Sequence, residues 1–247
     1  MKNNNVLIYT ATLALLAFAA CSGNVKEANG DITVSEDKEE EFSEAAIRFT
    51  DSKAPNSMMR STGDLVKDNL IAMTVYAHYT GAGDFADSLA TTTPNFMFNQ
   101  LVEKDNNAWT YSPLKYWPSQ HRKVNFFAVA PTPVAANGIE LITSGSSYIG
   151  YPSFTVTTPA APAQQQDICV ASALDRTDTT GNGKVPLLFA HTMAKVRFSA
   201  RYVSSETFGV LLRQLKFTDG YSSNTLRFGV SGFEWGCPQP KAATPYP

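Results

Sequence analysis

Histidine and cysteine are scarce in this chain, with only three of each in 247 residues. Charge is scarce too, at 17% of residues against about 25% in an ordinary domain. The few Cys and His form no CxxC and no HExxH, so the spacings of a zinc finger or a zinc protease are missing, and there is no GxSxG turn for a serine nucleophile. Twenty basic residues against 22 acidic ones leave a net charge of −2. Such a balance gives no support for the basic face that nucleic acid requires, and no nucleic-acid partner is expected. In place of charge the chain carries Ser, Thr, Asn and aromatics, and at 43% hydrophobic it has enough apolar material for a substantial core. That mixture belongs to β-rich surface and secreted proteins.

The first residues read as an address rather than as fold. Lys2 supplies a positive start, and Val6 to Ala20 is an apolar run too short for a comfortable membrane span. It ends Phe18-Ala19-Ala20-Cys21. Small residues before a Cys resemble a bacterial lipobox, although Phe18 stands where Leu is usual. The match implies cleavage before Cys21 and a diacylglycerol on its sulfur, and each buried CH₂ of such a lipid contributes about 0.8 kcal/mol to membrane attachment. Residues 1–20 are therefore expected to be a lipoprotein signal peptide. Residues 21–44 are polar and include the acidic run Glu36-Asp37-Lys38-Glu39-Glu40-Glu41, which reads as a self-repelling, solvated tether. With Cys21 consumed by lipid, Cys169 and Cys237 remain, either as a disulfide outside the cytoplasm or as two thiols.

From Ala45 onward the pattern is strands. They are expected at Ala46–Thr50, Leu70–Tyr79, Asn95–Val102, Ala108–Tyr111, Lys123–Ala130, Phe154–Thr157, Lys195–Tyr202, Leu211–Phe217 and Leu226–Val230. The clearest alternation is Lys195–Tyr202, where Val196, Phe198, Ala200 and Tyr202 share one face. Turn chemistry separates these runs at Gly81–Asp84, Asp105-Asn106-Asn107, Asn137-Gly138, Gly181-Asn182-Gly183 and Asp219-Gly220. Only Asp84–Leu89 suggests a turn of helix. Short strands at loop-sized intervals predict an all-β sandwich.

Two segments resemble one family in order. Trp109-Thr110-Tyr111-Ser112-Pro113-Leu114-Lys115-Tyr116-Trp117-Pro118, followed by Lys123-Val124-Asn125-Phe126-Phe127-Ala128-Val129-Ala130-Pro131, is similar to the core of the fimbrillin-like (Mfa-like) lipoproteins of Bacteroidetes. Pro186–Val196, with Phe189, His191, Ala194 and Lys195 at matching spacing, resembles a later strand of the same family. The resemblance spans roughly residues 45 to 235 (plus the lipobox) and implies a transthyretin-like, Greek-key β-sandwich over residues 45–236. It also implies a lipid-anchored outer-membrane protein at the cell surface or in the fimbrium, acting as a pilus subunit or adhesin. In such proteins a trypsin-like protease cuts after an Arg, the first strand leaves, and a neighbouring subunit donates a strand in its place.

On this chain the resemblance makes Ala46, Ile47, Arg48, Phe49 and Thr50 the displaced strand. Arg60-Ser61, in the polar, Pro-containing stretch 51–63, becomes the processing point. The physics is that of an open sheet edge: a missing strand leaves unpaired backbone groups and an apolar trench, and a donor strand satisfies both. Head-to-tail use of unlike surfaces then gives an open filament. Residues 237–247 form a Pro-rich tail ill suited to a continuous strand. The chain thus reads as the N-terminal half of such a protein, with the second domain and its donor segment missing.

No enzyme is expected, and no cofactor or metal. His78, His121 and His191 stand beside no nucleophile motif, and His191, at a strand start, reads as a structural hydrogen-bonding residue. Asp175, Asp178, Gly181, Asn182 and Gly183 fail the spacing of a calcium loop and read as a hairpin tip. Trp109, Tyr116 and Trp117, with Tyr111, offer an alternative function as an aromatic platform for sugar rings on a surface glycan-binding lipoprotein. Trp109 and Tyr111 alternate onto one face, which equally suits a core.

Overall fold

A computed structural model describes residues 42–51, 69–159, 161, 164–194, 196, 198–199, 201, 211–213 and 221–236. All of them belong to one of the chain's two compact units, residues 40–247. In chain order the strands are β1 (Phe42–Ala46), β2 (Arg48–Asp51), β3 (Ala72–Gly81), β4 (Met97–Asp105), β5 (Ala108–Thr110), β6 (Tyr116–Pro118) and β7 (Lys123–Ala130). There follow β8 (Ile139–Leu141), β9 (Ser153–Thr157), β10 (Cys169–Arg176), β11 (Lys184–Leu187), β12 (Ala190–His191), β13 (Ser223–Gly229) and β14 (Gly232–Trp235). A single helical turn, α1 (Phe85–Ser88), sits between β3 and β4. The architecture is all-β. Among the described residues no helix is long and apolar enough to cross a membrane.

The body is organised on a six-stranded antiparallel sheet in the order β12-β10-β7-β3-β4-β5. Its central strands are buried on both faces, which is why Lys123–Ala130 reads as a nearly unbroken apolar run rather than an alternation. Side chains nevertheless sort by a period of two. Met73, Val75 and Ala77 of β3 join Val124, Phe126 and Ala128 of β7 and Ala171 and Ala173 of β10 in one apolar cluster. On the other face Tyr76, Phe127, Val129 and Val170 belong to a second cluster. The first is closed by two short pairs, β1 with β6 and β2 with β11; the second by the four-stranded sheet β14-β13-β9-β8.

Local chemistry fixes the connections. Asn106 and Asn107 take φ of 48° and 63°, the two left-handed positions of a two-residue hairpin whose twist suits β4 and β5. Gly138, at φ 67°, enters β8 so close to β9 that a Cβ there would stand 2.3 Å from the Thr157 carbonyl oxygen.

Several expectations need correction. Ala46–Thr50 is not one strand: it divides at Ile47, with Ala46 ending β1 and Arg48 starting β2. The loop holding Gly181, Asn182 and Gly183 is not a hairpin tip, because β11 leaves β10 and pairs in parallel with β2. In the stretch 195–202 the described residues 196, 198, 199 and 201 belong to no strand, and Val196 and Phe198 are 60% and 57% exposed. The other residues of that stretch lie outside the described ones. Residues 211–213 likewise carry no strand, and the rest of Leu211–Phe217 lies outside the described residues. Conversely β10, rich in Ala and Ser, is a central strand that composition conceals.

Candidate functional site

The first strands form a seam across the apolar trench. Alternation along Ala46-Ile47-Arg48-Phe49-Thr50 turns Ile47 and Phe49 inward, where they are 0% and 4% exposed, and leaves Arg48 outside. The Phe49 ring lies 5.7 Å from Phe126, edge-on, and 5.6 Å from Tyr111. Ile47 is the joint between two ladders. Its N–H donates to the Lys115 carbonyl at 2.8 Å, and its own carbonyl accepts the Tyr111 hydroxyl at 2.9 Å. Burial pushes the Tyr111 phenol above its ordinary range, against the backbone hydrogen bond with Lys115 and the Arg48 charge.

On one side β1 pairs antiparallel with β6, Phe42 opposite Pro118 and Ala46 opposite Tyr116. On the other side β2 pairs in parallel with β11, from Arg48 opposite Lys184 to Asp51 opposite Leu187. A parallel ladder is slightly the weaker kind. This one begins on two like charges, which oppose each other across neighbouring strands. The floor of the trench is built from Trp117, Phe126, Val185 and Leu187, all buried. Beyond Asp51 the chain reaches β3 only through residues 52–71. Arg60 and Ser61 fall within that connection and outside the described residues, as do Cys21 and Cys237.

The four aromatic residues considered for sugar binding do not assemble a platform. Trp117 is fully buried, its Nε1–H donating to the Gly183 carbonyl at 2.9 Å and its ring 6.0 Å from Phe126. Trp109 is 8% exposed, with the Lys104 ammonium 4.7 Å over its ring. Tyr111 serves Ile47, and Tyr116 alone is well exposed. The spacing that suggested a binding face is the spacing of a core.

The histidines separate into three environments. His78 is fully buried, its ring near-perpendicular to those of Phe85 and Phe127, within 3.1 Å of the Tyr148 hydroxyl and 3.4 Å of Thr92 Oγ1. Burial pushes its pKa down to about 4. His121 meets Asp178 at 2.6 Å. Asp175 accepts the Phe85 N–H at 2.9 Å, so these two carboxylates are engaged on different elements rather than gathered for calcium.

His191 lies opposite Cys169 across the β10–β12 ladder, with its Nδ1 2.6 Å from Asp167 Oδ2 and 3.3 Å from Cys169 Sγ. Among the described residues these three form the group whose donor atoms could converge on a metal ion. No sequence spacing announces it, because the fold brings residue 191 back beside 167 and 169.

Fold and seam together define an all-β protein whose N-terminal strands close an apolar trench. The sequence profile described as fimbrillin-like matches residues 59–219, and the chain belongs to the fimbrillin-like family. It is similar to the fimbrium subunit Fim1C of Phocaeicola vulgatus, with 26% identity over 207 residues, 79% of this chain and 50% of that protein. The chain thus spans about half the length of the curated relative it matches. Its fold is similar to that of a fimbrial protein from Bacteroides vulgatus known from a crystal structure, with a TM-score of 0.60 at 22% identity, over 80% of this chain and 62% of that one.

Proposed function

We propose that this chain is a structural subunit of a cell-surface fimbrium that is completed by a neighbour's strand. In this reading residues 1–20 direct export, Cys21 carries the lipid that holds the protein at the outer membrane, and residues 21–44 are the tether. A trypsin-like protease cuts between Arg60 and Ser61. The segment containing Ala46–Thr50 is then held by non-covalent contacts alone, and a donor strand from another fimbrillin-like subunit replaces it. The central sheet with the β1–β6 and β2–β11 pairs is read as a sandwich of the transthyretin type.

The observation that carries the proposal is the seating of β2. With Ile47 just ahead of it, β2 buries Phe49 in the trench, yet it is linked onward only through residues 52–71 and paired through a short parallel ladder. Removing it would uncover Phe126 and leave the β11 edge unpaired. Both changes are unfavourable, and an incoming strand reverses both.

The test uses a fluorescent peptide with the sequence of residues 42–51. Limited digestion should give a new N-terminus at Ser61, and the cut protein should take up the peptide on gel filtration. Uncut protein and the Arg60→Ala variant should not. Equal uptake by cut and uncut protein, or none by either, would refute the reading.

A further inference from the structure

None of Asp167, Cys169 and His191 belongs to the β1–β6 or β2–β11 ladder. Asp167 and Cys169 are two residues apart on the same side of the chain entering β10, and Cys169 and His191 are direct partners across the ladder. Three donor atoms of different chemistry, from β10, the residues leading into it and β12, therefore lie within 4.8 Å of one another. They are well shielded: the Asp167 and His191 side chains are 8% and 16% exposed, and Cys169 is 3% exposed. The surrounding backbone is fixed, because Thr192 bonds Ile168 through its N–H at 2.8 Å and its hydroxyl at 3.0 Å, and its carbonyl accepts the Trp235 indole N–H at 3.0 Å.

The carboxylate of Asp167 is the hub of the group, within reach of both the His191 ring and the Cys169 thiol. Nδ1 of His191 faces the carboxylate at 2.6 Å and the sulfur at 3.3 Å, while Sγ and Oδ2 lie 4.0 Å apart. With the thiol ionised and the ring neutral, each of the three presents a lone pair: a carboxylate oxygen, a thiolate sulfur and an imidazole nitrogen. A cation at the centre would serve all three lone pairs.

Zinc bound by sulfur, nitrogen and oxygen at tetrahedral angles separates its ligand atoms by about 3.3–3.6 Å. The three separations here bracket that range, and small side-chain rotations would bring them into it. Thiolate and imidazole disfavour calcium and magnesium, which take oxygen ligands. From this geometry we infer that Asp167, Cys169 and His191 bind one zinc ion, with water in the fourth position. The ion staples the short edge strand β12 to β10. Binding displaces the thiol proton of Cys169 to solvent.

The test titrates zinc chloride into the chelator-stripped full chain by calorimetry. One zinc per chain is expected, with a raised melting temperature. Cobalt(II) in its place should give a thiolate-to-metal charge-transfer band and the visible absorption of a tetrahedral ion. Cys169→Ser and His191→Gln should weaken zinc binding by about 10- to 100-fold or more. Asp167→Asn, the mildest change, should weaken it while its circular dichroism stays that of the parent. Zinc should also slow alkylation of Cys169, and chelator should restore it. The inference is overturned if the parent binds no zinc, if all three variants bind as the parent does, or if peptide mapping finds Cys169 in a disulfide with Cys237.

Discussion

The Phe49 ring meets the Phe126 ring edge-on, at 85° and 5.7 Å between centroids. This contact fastens the first strands to the central sheet, since Phe126 stands in the middle of β7 while Phe49 belongs to a strand that touches that sheet by side chains alone. Phe49→Ala should cost about 3–5 kcal/mol in denaturant unfolding, the usual loss for a truncated buried aromatic. A loss under about 1 kcal/mol would mean that the trench closes without it.

Trp117 separates a core role from a binding role. Trp117→Phe keeps most of the ring but loses the hydrogen bond to the Gly183 carbonyl, and should cost about 1–2 kcal/mol. Trp117→Ala should cost about 3–5 kcal/mol. Urea titrations check both. A variant that unfolds normally yet loses affinity for a polysaccharide would instead restore the glycan-binding alternative.

His78 gives stability a defined pH dependence. Its pKa falls from an ordinary 6.5 to about 4 in the folded chain, so the unfolded chain binds the extra proton between those values. Stability contributed by the neutral ring is complete above about 6.5 and is lost as pH falls through the window. The loss approaches about 3 kcal/mol by pH 4. Unfolding free energies measured across this range should fall more steeply for the parent than for His78→Asn. Identical slopes would contradict the burial of a neutral imidazole.

Two glycines with similar backbone angles should differ in tolerance. Gly138→Ala meets both a left-handed φ of 67° and the Thr157 carbonyl oxygen at 2.3 Å, and should cost well over 2 kcal/mol (a left-handed non-Gly residue alone costs about 1–3 kcal/mol). Gly145→Ala, at φ 69° with nothing within 4 Å, meets the backbone strain only and should cost about 1 kcal/mol. Equal unfolding midpoints for the two variants would contradict the close approach at residue 138.

The sequence shows the central strands whose apolar runs end at strong punctuation. β7 stops at Pro131, and the Asn106-Asn107 turn marks the β4–β5 hairpin. It hides β10, because Ala171 and Ala173 have little intrinsic preference for a strand and are small for a packing reason: they face the first apolar cluster from a sheet covered on both sides. Its clearest alternation, 195–202, lies only in part among the described residues. Ile47 and Phe49 are legible as inward residues, whereas the split of their segment between two ladders depends on Lys115 and Tyr111, far away in sequence. The Asp167–Cys169–His191 group is invisible for the same reason: it exists only once β12 returns to β10.

Backbone hydrogen exchange at β11 and β6 tests the replaceable strand most directly. Amides of Lys184, Val185 and Leu187, and of Tyr116 and Trp117, are followed in the intact chain, after cleavage at Arg60 with the released segment removed, and after addition of the 42–51 peptide. The account expects slow exchange, then fast exchange, then slow exchange again, while β7 stays protected throughout. Equal protection in all three states, or loss of protection across β7 as well, would contradict it.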